Sequence, residues 1–371
     1  MIQIVDLKAH YNSIKEEVDQ AVLEVLSSGH YIMGKNVSSF EEELAQYLNC
    51  KHVITCANGT DAISLALMAL DIKPQDEVIT VSHSFFATSE AIALVGAVPK
   101  FVDIQESDFN IDPEKIESQI TKKTRAIIPV HLYGQPCEIE KVVSIGKKHG
   151  LYVIEDCAQA LGAKYNGKSV GTFGDIGTLS FFPTKNLGAF GDAGAIVTNN
   201  DEIANKLKQL RVHGSSKRYV HDHIGLNSRL DEIQAAILRV KLKYLDKWNN
   251  QRQSAAKYYD DLLKDFKEIT RPQTKPNANH IFHQYTIRSK NRDLLYEILR
   301  EERIETIIYY PIPIHLQKAL SYLNNKEGSL PITENICNEI LSLPMYPEIT
   351  QDIQEKVIDK IKTSLTLLCS R

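Results

Sequence analysis

Residues 176–194 read Ile-Gly-Thr-Leu-Ser-Phe-Phe-Pro-Thr-Lys-Asn-Leu-Gly-Ala-Phe-Gly-Asp-Ala-Gly. The run 177–182 has the length and apolar character of a strand, and Pro183 stops it because proline has no amide to give a neighbouring strand. Gly188, Gly191 and Gly194 then mark a loop whose backbone can take positive φ or approach a ligand closely. Lys185 stands at that strand end. Its stem follows Leu179, Phe181 and Phe182 out of the core, a setting that desolvates the amine and favours its neutral, nucleophilic form. The same pattern also fits a lysine that snorkels past an apolar strand end, so the surrounding chain has to decide.

Outward from this stretch, short apolar runs alternate with helix-length segments. The pattern predicts strands over 53–56, 77–81, 99–103, 126–131, 152–155, 177–182 and 195–198, and helices over 61–70, 88–95, 138–149 and 201–212. Such alternation gives an α/β fold with a large, mostly parallel sheet covered on both faces. Open sheets of this kind bind ligands beyond the carboxyl ends of their strands. Upstream, 12–26 and a segment from Ser38 or Ser39 carry helical spacing. Between them Gly29-His30-Tyr31-Ile32-Met33-Gly34 is either a connector or a binding turn, which makes Tyr31 a substrate candidate.

The predicted strand ends carry chemistry. Asn58-Gly59-Thr60-Asp61 opens an apolar helix, and the free amides of its first turn with the Thr60 hydroxyl suit a phosphate; a plain helix cap is the alternative. Ser82-His83-Ser84-Phe85-Phe86 brings aromatics to the same rim. Glu155-Asp156 places carboxylates at the end of a hydrophobic strand, where charge is costly unless paired. A phosphate seat, an aromatic, a carboxylate and an amine are the parts that hold pyridoxal 5'-phosphate. Lys185 would bond to its aldehyde carbon, Asp156 would hold the proton on its ring nitrogen, and 59–61 would hold its phosphate. An ion pair at ~4 Å with an effective dielectric of ~20 is worth roughly 4 kcal/mol, enough to keep a weakly basic ring nitrogen charged.

These residues resemble the DegT/DnrJ/EryC1/StrS group of sugar-nucleotide aminotransferases, of the aspartate-aminotransferase fold type I. The likeness spans nearly the whole chain. It rests on Asn58-Gly59-Thr60-Asp61-Ala62, His131-Leu132-Tyr133-Gly134-Gln135-Pro136, Glu155-Asp156-Cys157-Ala158-Gln159, Ser180 to Gly188, and the run from Gly225 to Ala236 that includes Asn227 and Arg229. The resemblance implies Lys185 as the cofactor-bonding amine, Asp156 on the pyridine nitrogen, Gln159 near the ring hydroxyl, Phe85 stacked on the ring, and Gly59, Thr60 and Ser180 on the phosphate. It also implies that Asn227 reaches the phosphate of a partner subunit's cofactor, hence a homodimer with shared sites. His83, Cys157, Ala189 and Ala193 depart from the family's usual residues without removing a functional group.

The basic loop 211–229 suits a clamp on a sugar-nucleotide diphosphate, with Lys217 as the candidate, although a solvated loop would look the same. The pair His221 and His223 does not suggest a metal, because near-adjacent side chains on an extended loop point apart. A helix over 229–249 would bridge to a smaller C-terminal α/β lobe, giving a division at 1–249 and 250–371. In that lobe 283–288 and 304–309 read as strands and 291–302 as a helix. Tyr309 and His315, in a rigid Tyr-Tyr-Pro-Ile-Pro-Ile-His segment, are further substrate candidates.

Composition narrows the function class. The formal charge is −4 over 371 residues with no long basic run, which argues against nucleic-acid binding. No apolar run reaches membrane-span length and the first residues do not read as a signal peptide, so a cytoplasmic protein is expected. Six scattered cysteines (Cys50, Cys56, Cys137, Cys157, Cys337 and Cys369) lack the spacing of a zinc site or a disulfide framework. The resemblance implies transfer of an amino group from L-glutamate to a nucleotide-linked keto sugar, most like C-3 of a dTDP-3-keto-6-deoxyhexose, for amino-sugar and glycan synthesis. Amination at C-4, a related dehydratase and a noncatalytic regulator on the same fold are the alternatives; Lys185 speaks against the dehydratase, whose members carry histidine there.

Overall fold

The computed structural model describes residues 1–369, with side chains to Leu365, so Cys369 lies outside the described side chains. Seven strands form the main sheet: β1 (His52–Cys56), β2 (Glu77–Val81), β3 (Val98–Val102), β4 (Thr124–Ile128), β5 (Tyr152–Asp156), β6 (Ile176–Ser180) and β7 (Gly194–Thr198). Their spatial order is β1-β7-β6-β5-β4-β2-β3. Six run the same way, and β7 alone is antiparallel to both of its neighbours. The carboxyl ends of the other six strands therefore lie on one edge, and β7 starts from that edge with Gly194 opposite Ser180.

Alternation along each strand feeds two cores. Ile54, Val78, Ile128, Ile154 and Ile196 face one side with Leu65 and Ala66 of the helix α3 (Gly59–Ala69). Val53, Ile79, Ile127, Val153 and Val197 face the other with Phe40 and Leu44 of α2 (Lys35–Leu48), which follows a short helical segment Leu7–Asn12 and α1 (Lys15–Ser28). Phe181, just past β6, is fully buried and meets Phe40 edge to face at 5.5 Å. The strand carrying Lys185 is thereby anchored before its loop begins.

Helix α2 starts earlier than its own residues suggest. Glu232, 195 to 198 residues further on, accepts the amides of Gly34, Asn36 and Val37 at 2.8–2.9 Å and so replaces a local cap. Helices α4 (Ala87–Leu94), α5 (Ile139–His149) and α6 (Asp201–Leu210) match the pattern read from the sequence.

Two expectations need correction. The segment 229–249 is not one helix: α7 (Glu232–Leu242) ends and α8 (Leu245–Leu263) begins around Lys243 and Tyr244, without proline or glycine at the break. α7 packs on the N-terminal helices, whereas Tyr259 and Leu263 of α8 enter the C-terminal core, and one straight axis does not serve both. Segment 304–309 is not a strand either and makes only isolated bridges, Ile304 to Ile2 and Ile307 to Ser342. The strand that pairs antiparallel with β8 (Tyr285–Arg288) is β9 (Ile340–Leu343), followed by a closing helix from Gln351.

Candidate active site

A cavity of about 550 Å³ opens at the carboxyl edge of the sheet and is lined by Gly59, Thr60, Phe85, Asp156, Gln159, Ser180, Lys185 and Tyr309 among others. Eight of the residues singled out from sequence thus meet in one place. At the β1 end, Asn58 Oδ1 takes the Asp61 amide at 2.8 Å as an N-cap. Among the described residues the Gly59 and Thr60 amides have no protein acceptor, and both residues line the cavity with Ser180. Glycine is required at 59, since a Cβ there would lie 2.7 Å from Ser180 Cβ.

The structure separates the two carboxylates that the sequence leaves side by side. Glu155 is fully buried, with Oε1 taking the Phe173 and Gly174 amides at 2.7 and 2.8 Å and Oε2 taking the Gly171 amide at 2.8 Å. His131 Nε2 adds a contact at 3.1 Å. His131, Glu155 and Cys157 lie close enough together to suggest a metal site, but this internal bonding already occupies Glu155 and accounts for the cluster. Asp156 instead keeps a face on the cavity while Thr88 Oγ1 and the Ala158 amide hold it at 2.8 and 3.1 Å.

Lys185 follows the sharp turn after Pro183, its amide bonded to the Phe182 carbonyl at 2.8 Å. Part of the side chain is open to the cavity, while protein surrounds the rest. That depth lowers its pKa to about 8, against the opposing pull of Asp156. The loop beyond is pinned from below. Lys241, itself buried, donates to the Gly188 carbonyl, and Gln234 Oε1 accepts the Phe190 amide at 2.8 Å.

Gln159 is held by the Tyr133 amide at 2.7 Å and by the Tyr310 hydroxyl at 3.2 Å. Phe85 stands at the mouth, 58% exposed, with the Tyr310 ring centroid 6.0 Å away. The other expected contacts lie elsewhere. Tyr31, Lys217 and Asn227 are on the exposed surface outside the cavity. His315 is 2% exposed and does not line it: Nδ1 meets Ser82 Oγ at 2.7 Å and Nε2 meets Glu334 at 3.1 Å, so this side chain docks the C-terminal segment onto β2. Sequence reading missed Thr88, His283 and Tyr310, whose partners come from other strands or the other lobe; only their nearness to the named motifs hinted at them.

The DegT/DnrJ/EryC1/StrS aminotransferase family pattern matches residues 12–362. The chain is 50% identical over 362 residues to a "Pleiotropic regulatory protein" of Geobacillus stearothermophilus, covering 97% of each. It is 45% identical over 361 residues to the dTDP-3-amino-3,6-dideoxy-alpha-D-galactopyranose transaminase of Aneurinibacillus thermoaerophilus, covering 97% of this chain and 99% of the relative. The crystal structure of S. venezuelae DesV in complex with ketimine intermediate superposes with a TM-score of 0.95 at 41% identity, covering 98% of each chain. A sheet with this cavity at its carboxyl edge, matched in sequence and in shape over almost its full length, leaves one conclusion: the chain belongs to the DegT/DnrJ/EryC1/StrS aminotransferase family.

Proposed function

We propose that this aminotransferase moves an amino group from L-glutamate to C-3 of a nucleotide-linked keto sugar, of the dTDP-3-keto-6-deoxyhexose class, using pyridoxal 5'-phosphate. The observation that carries the reading is one cavity walled by Lys185, Asp156 and the open α3 N-terminus with Ser180. That donor set suits the cofactor's aldehyde, pyridine nitrogen and phosphate in turn. The name of the Aneurinibacillus relative, a transaminase for a sugar aminated at C-3, supports the carbon and the nucleotide class.

When bound, pyridoxal phosphate supplies an aldehyde that joins reversibly to amines and a pyridinium ring that withdraws electrons from the neighbouring carbon. The protein's residues do the rest. The Gly59 and Thr60 amides and the Ser180 hydroxyl would hold the phosphate at the helix N-terminus. Asp156, steadied by Thr88 and Ala158, would hold the proton on the ring nitrogen. Gln159 would serve the ring hydroxyl, and Phe85 would cover the ring at the mouth. With a pKa near 8, Lys185 is neutral often enough to take a proton at Nζ from the substrate carbon and basic enough to hold it. Tyr309, on the cavity wall, is the sugar contact within the same chain.

In this reading two chains complete each site, with Asn227 of one serving the phosphate of the other, while Lys217 is the candidate clamp on the substrate's diphosphate and Tyr31 a further substrate candidate. An open, largely apolar groove of about 700 Å³ supports the homodimer; Leu7, Tyr11, Val22, Leu23 and Phe190 line it, on the N-terminal helices and the Lys185 loop. The division into 1–249 and 250–371 is part of the same reading. The separate hydrophobic cluster from Ala255 to Leu365 supports it, although α8 runs across the boundary. No helix among the described residues is long and apolar enough to cross a membrane. A cytoplasmic location fits the five described cysteines, all unpaired.

The deciding assay offers a panel of 3-keto and 4-keto dTDP- and UDP-sugars with L-glutamate and follows the aminated product by mass. Amination of a 3-keto dTDP-sugar at a rate well above the 4-keto isomer is expected. Preference for the 4-keto isomer would overturn the C-3 assignment, and no turnover with any of them would favour a regulatory role.

A further inference from the structure

His283 lines the same cavity as Lys185, and its hydrogen bonds fix which ring nitrogen is free. The Leu161 carbonyl can only accept. It takes Asn249 Nδ2 at 3.2 Å, which turns Asn249 Oδ1 toward Asn186 Nδ2 at 2.7 Å. Asn186 Nδ2 also points to the Ile281 carbonyl, at 3.5 Å. Asn186 Oδ1 therefore faces His283 Nδ1 at 3.0 Å, and because an amide oxygen cannot donate, Nδ1 must carry the ring hydrogen. Nε2 is left with a bare lone pair and, among the described residues, no hydrogen-bond partner, on a residue that lines the cavity.

Asn186, Asn249 and His283 are all buried, so water does not compete for this relay. Burial, then the nearby Lys185 and Arg252 charges, holds the imidazole pKa well below its ordinary value. Arg252 is fixed beneath it, donating to the Phe282, His283 and Met345 carbonyls at 3.4, 3.3 and 2.9 Å. The ring is thus a neutral acceptor of fixed orientation, anchored to the residue that follows Lys185.

We propose that His283 is a positioning residue for Lys185: when the amine, which makes no hydrogen bond to the ring in this structure, turns across the cavity they share, Nε2 accepts one of its N–H groups and so directs the amine's own lone pair toward the substrate carbon. The inference rests on the aminotransferase reading. A ring this weakly basic does not take the lysine's proton, so it orients the amine without competing for the proton it must carry.

The test joins nitrogen NMR of histidine-labelled, cofactor-free protein with kinetics of two variants. The expected spectrum shows a bare Nε2 on His283 that shifts in Lys185→Met. His283→Asn keeps a donor for Asn186 but nothing at the Nε2 position, and should lower kcat on the order of tenfold or more while leaving the sugar KM within about twofold. His283→Gln returns an acceptor to that position and should recover most of the loss. A protonated Nε2, a signal indifferent to Lys185→Met, wild-type kcat in His283→Asn, or glutamine no better than asparagine would each overturn the proposal. Wild-type inactivity on every keto sugar would overturn the functional reading instead, and the spectrum of the unloaded protein would still decide the tautomer and the contact.

Discussion

The Thr88 hydroxyl donates to Asp156 Oδ2 at 2.8 Å, joining the helix after β2 to the carboxyl end of β5 directly at the cavity wall. Ser84 Oγ lies 3.1 Å from Thr88 Oγ1 and steadies it in turn. Asp156→Asn keeps the shape and one acceptor oxygen for the Ala158 amide, turns an NH2 toward Thr88 Oγ1, a hydroxyl that can accept, and removes the negative charge. Single-turnover rates should fall roughly 100-fold or more while cofactor retention changes far less, because the charge matters most where electrons move into the ring. Thr88→Val should cost about tenfold through loss of one hydrogen bond to a charged group. Equal single-turnover rates for Asp156→Asn and wild type would make Asp156 a structural carboxylate.

Lys185→Ala should retain cofactor by its phosphate and ring contacts yet lose turnover by several orders of magnitude, on the order of a missing catalytic base. The depressed pKa of Lys185 also predicts a stability signature in the cofactor-free protein. Between about 8 and its ordinary 10.5 the unfolded chain binds the proton that the folded chain has released. Stability should therefore rise with pH across that window, by up to about 3 kcal/mol from this one group. Urea unfolding of wild type against Lys185→Met isolates it: the difference between the two should narrow from pH 8 to 10.5. A difference independent of pH would place the lysine in ordinary solvent.

Glu155 offers the opposite prediction from its neighbour. Glu155→Gln turns an amide donor toward a pocket built from three backbone N–H groups, and should cost about 3–5 kcal/mol of folding stability, as expected for a disrupted buried charge. Chemical denaturation of the cofactor-free protein measures this directly. Whatever variant folds should keep its cofactor chemistry, and a full-stability Glu155→Gln with lost turnover would reverse the roles assigned to the two carboxylates.

Asn227 is exposed and does not line its own chain's cavity. If it serves a partner's phosphate, cofactor affinity and dimer formation are linked by mass action. Asn227→Ala should weaken both, cofactor affinity by about tenfold, the value of one lost hydrogen bond to a charged group. Sedimentation at several protein concentrations, with and without pyridoxal phosphate, reads the linkage. A dilute monomer that binds cofactor as tightly as the concentrated protein would rule out a shared site.

Much of this architecture was readable from residue order alone, because the information is local. Buried parallel strands announce themselves as short β-branched runs, as in Val153-Ile154 or Val78-Ile79-Thr80 before Val81. Proline and glycine mark where Lys185 must stand. Carboxyl ends of parallel strands share an edge, so motifs distant in the chain could be assigned to one site before any coordinates. Tertiary structure decided what depends on partners far away in the chain. Glu232 sets the start of α2, and Phe173, Gly174 and Gly171 make Glu155 structural while leaving Asp156 open to the cavity. Ser82 and Glu334 take both nitrogens of His315 away from any ligand. The break between α7 and α8 carries no breaker residue, since two different cores pull its halves apart. In each case a side chain's role follows from which polar group meets it across space, and a linear pattern of apolar and polar residues does not encode that meeting.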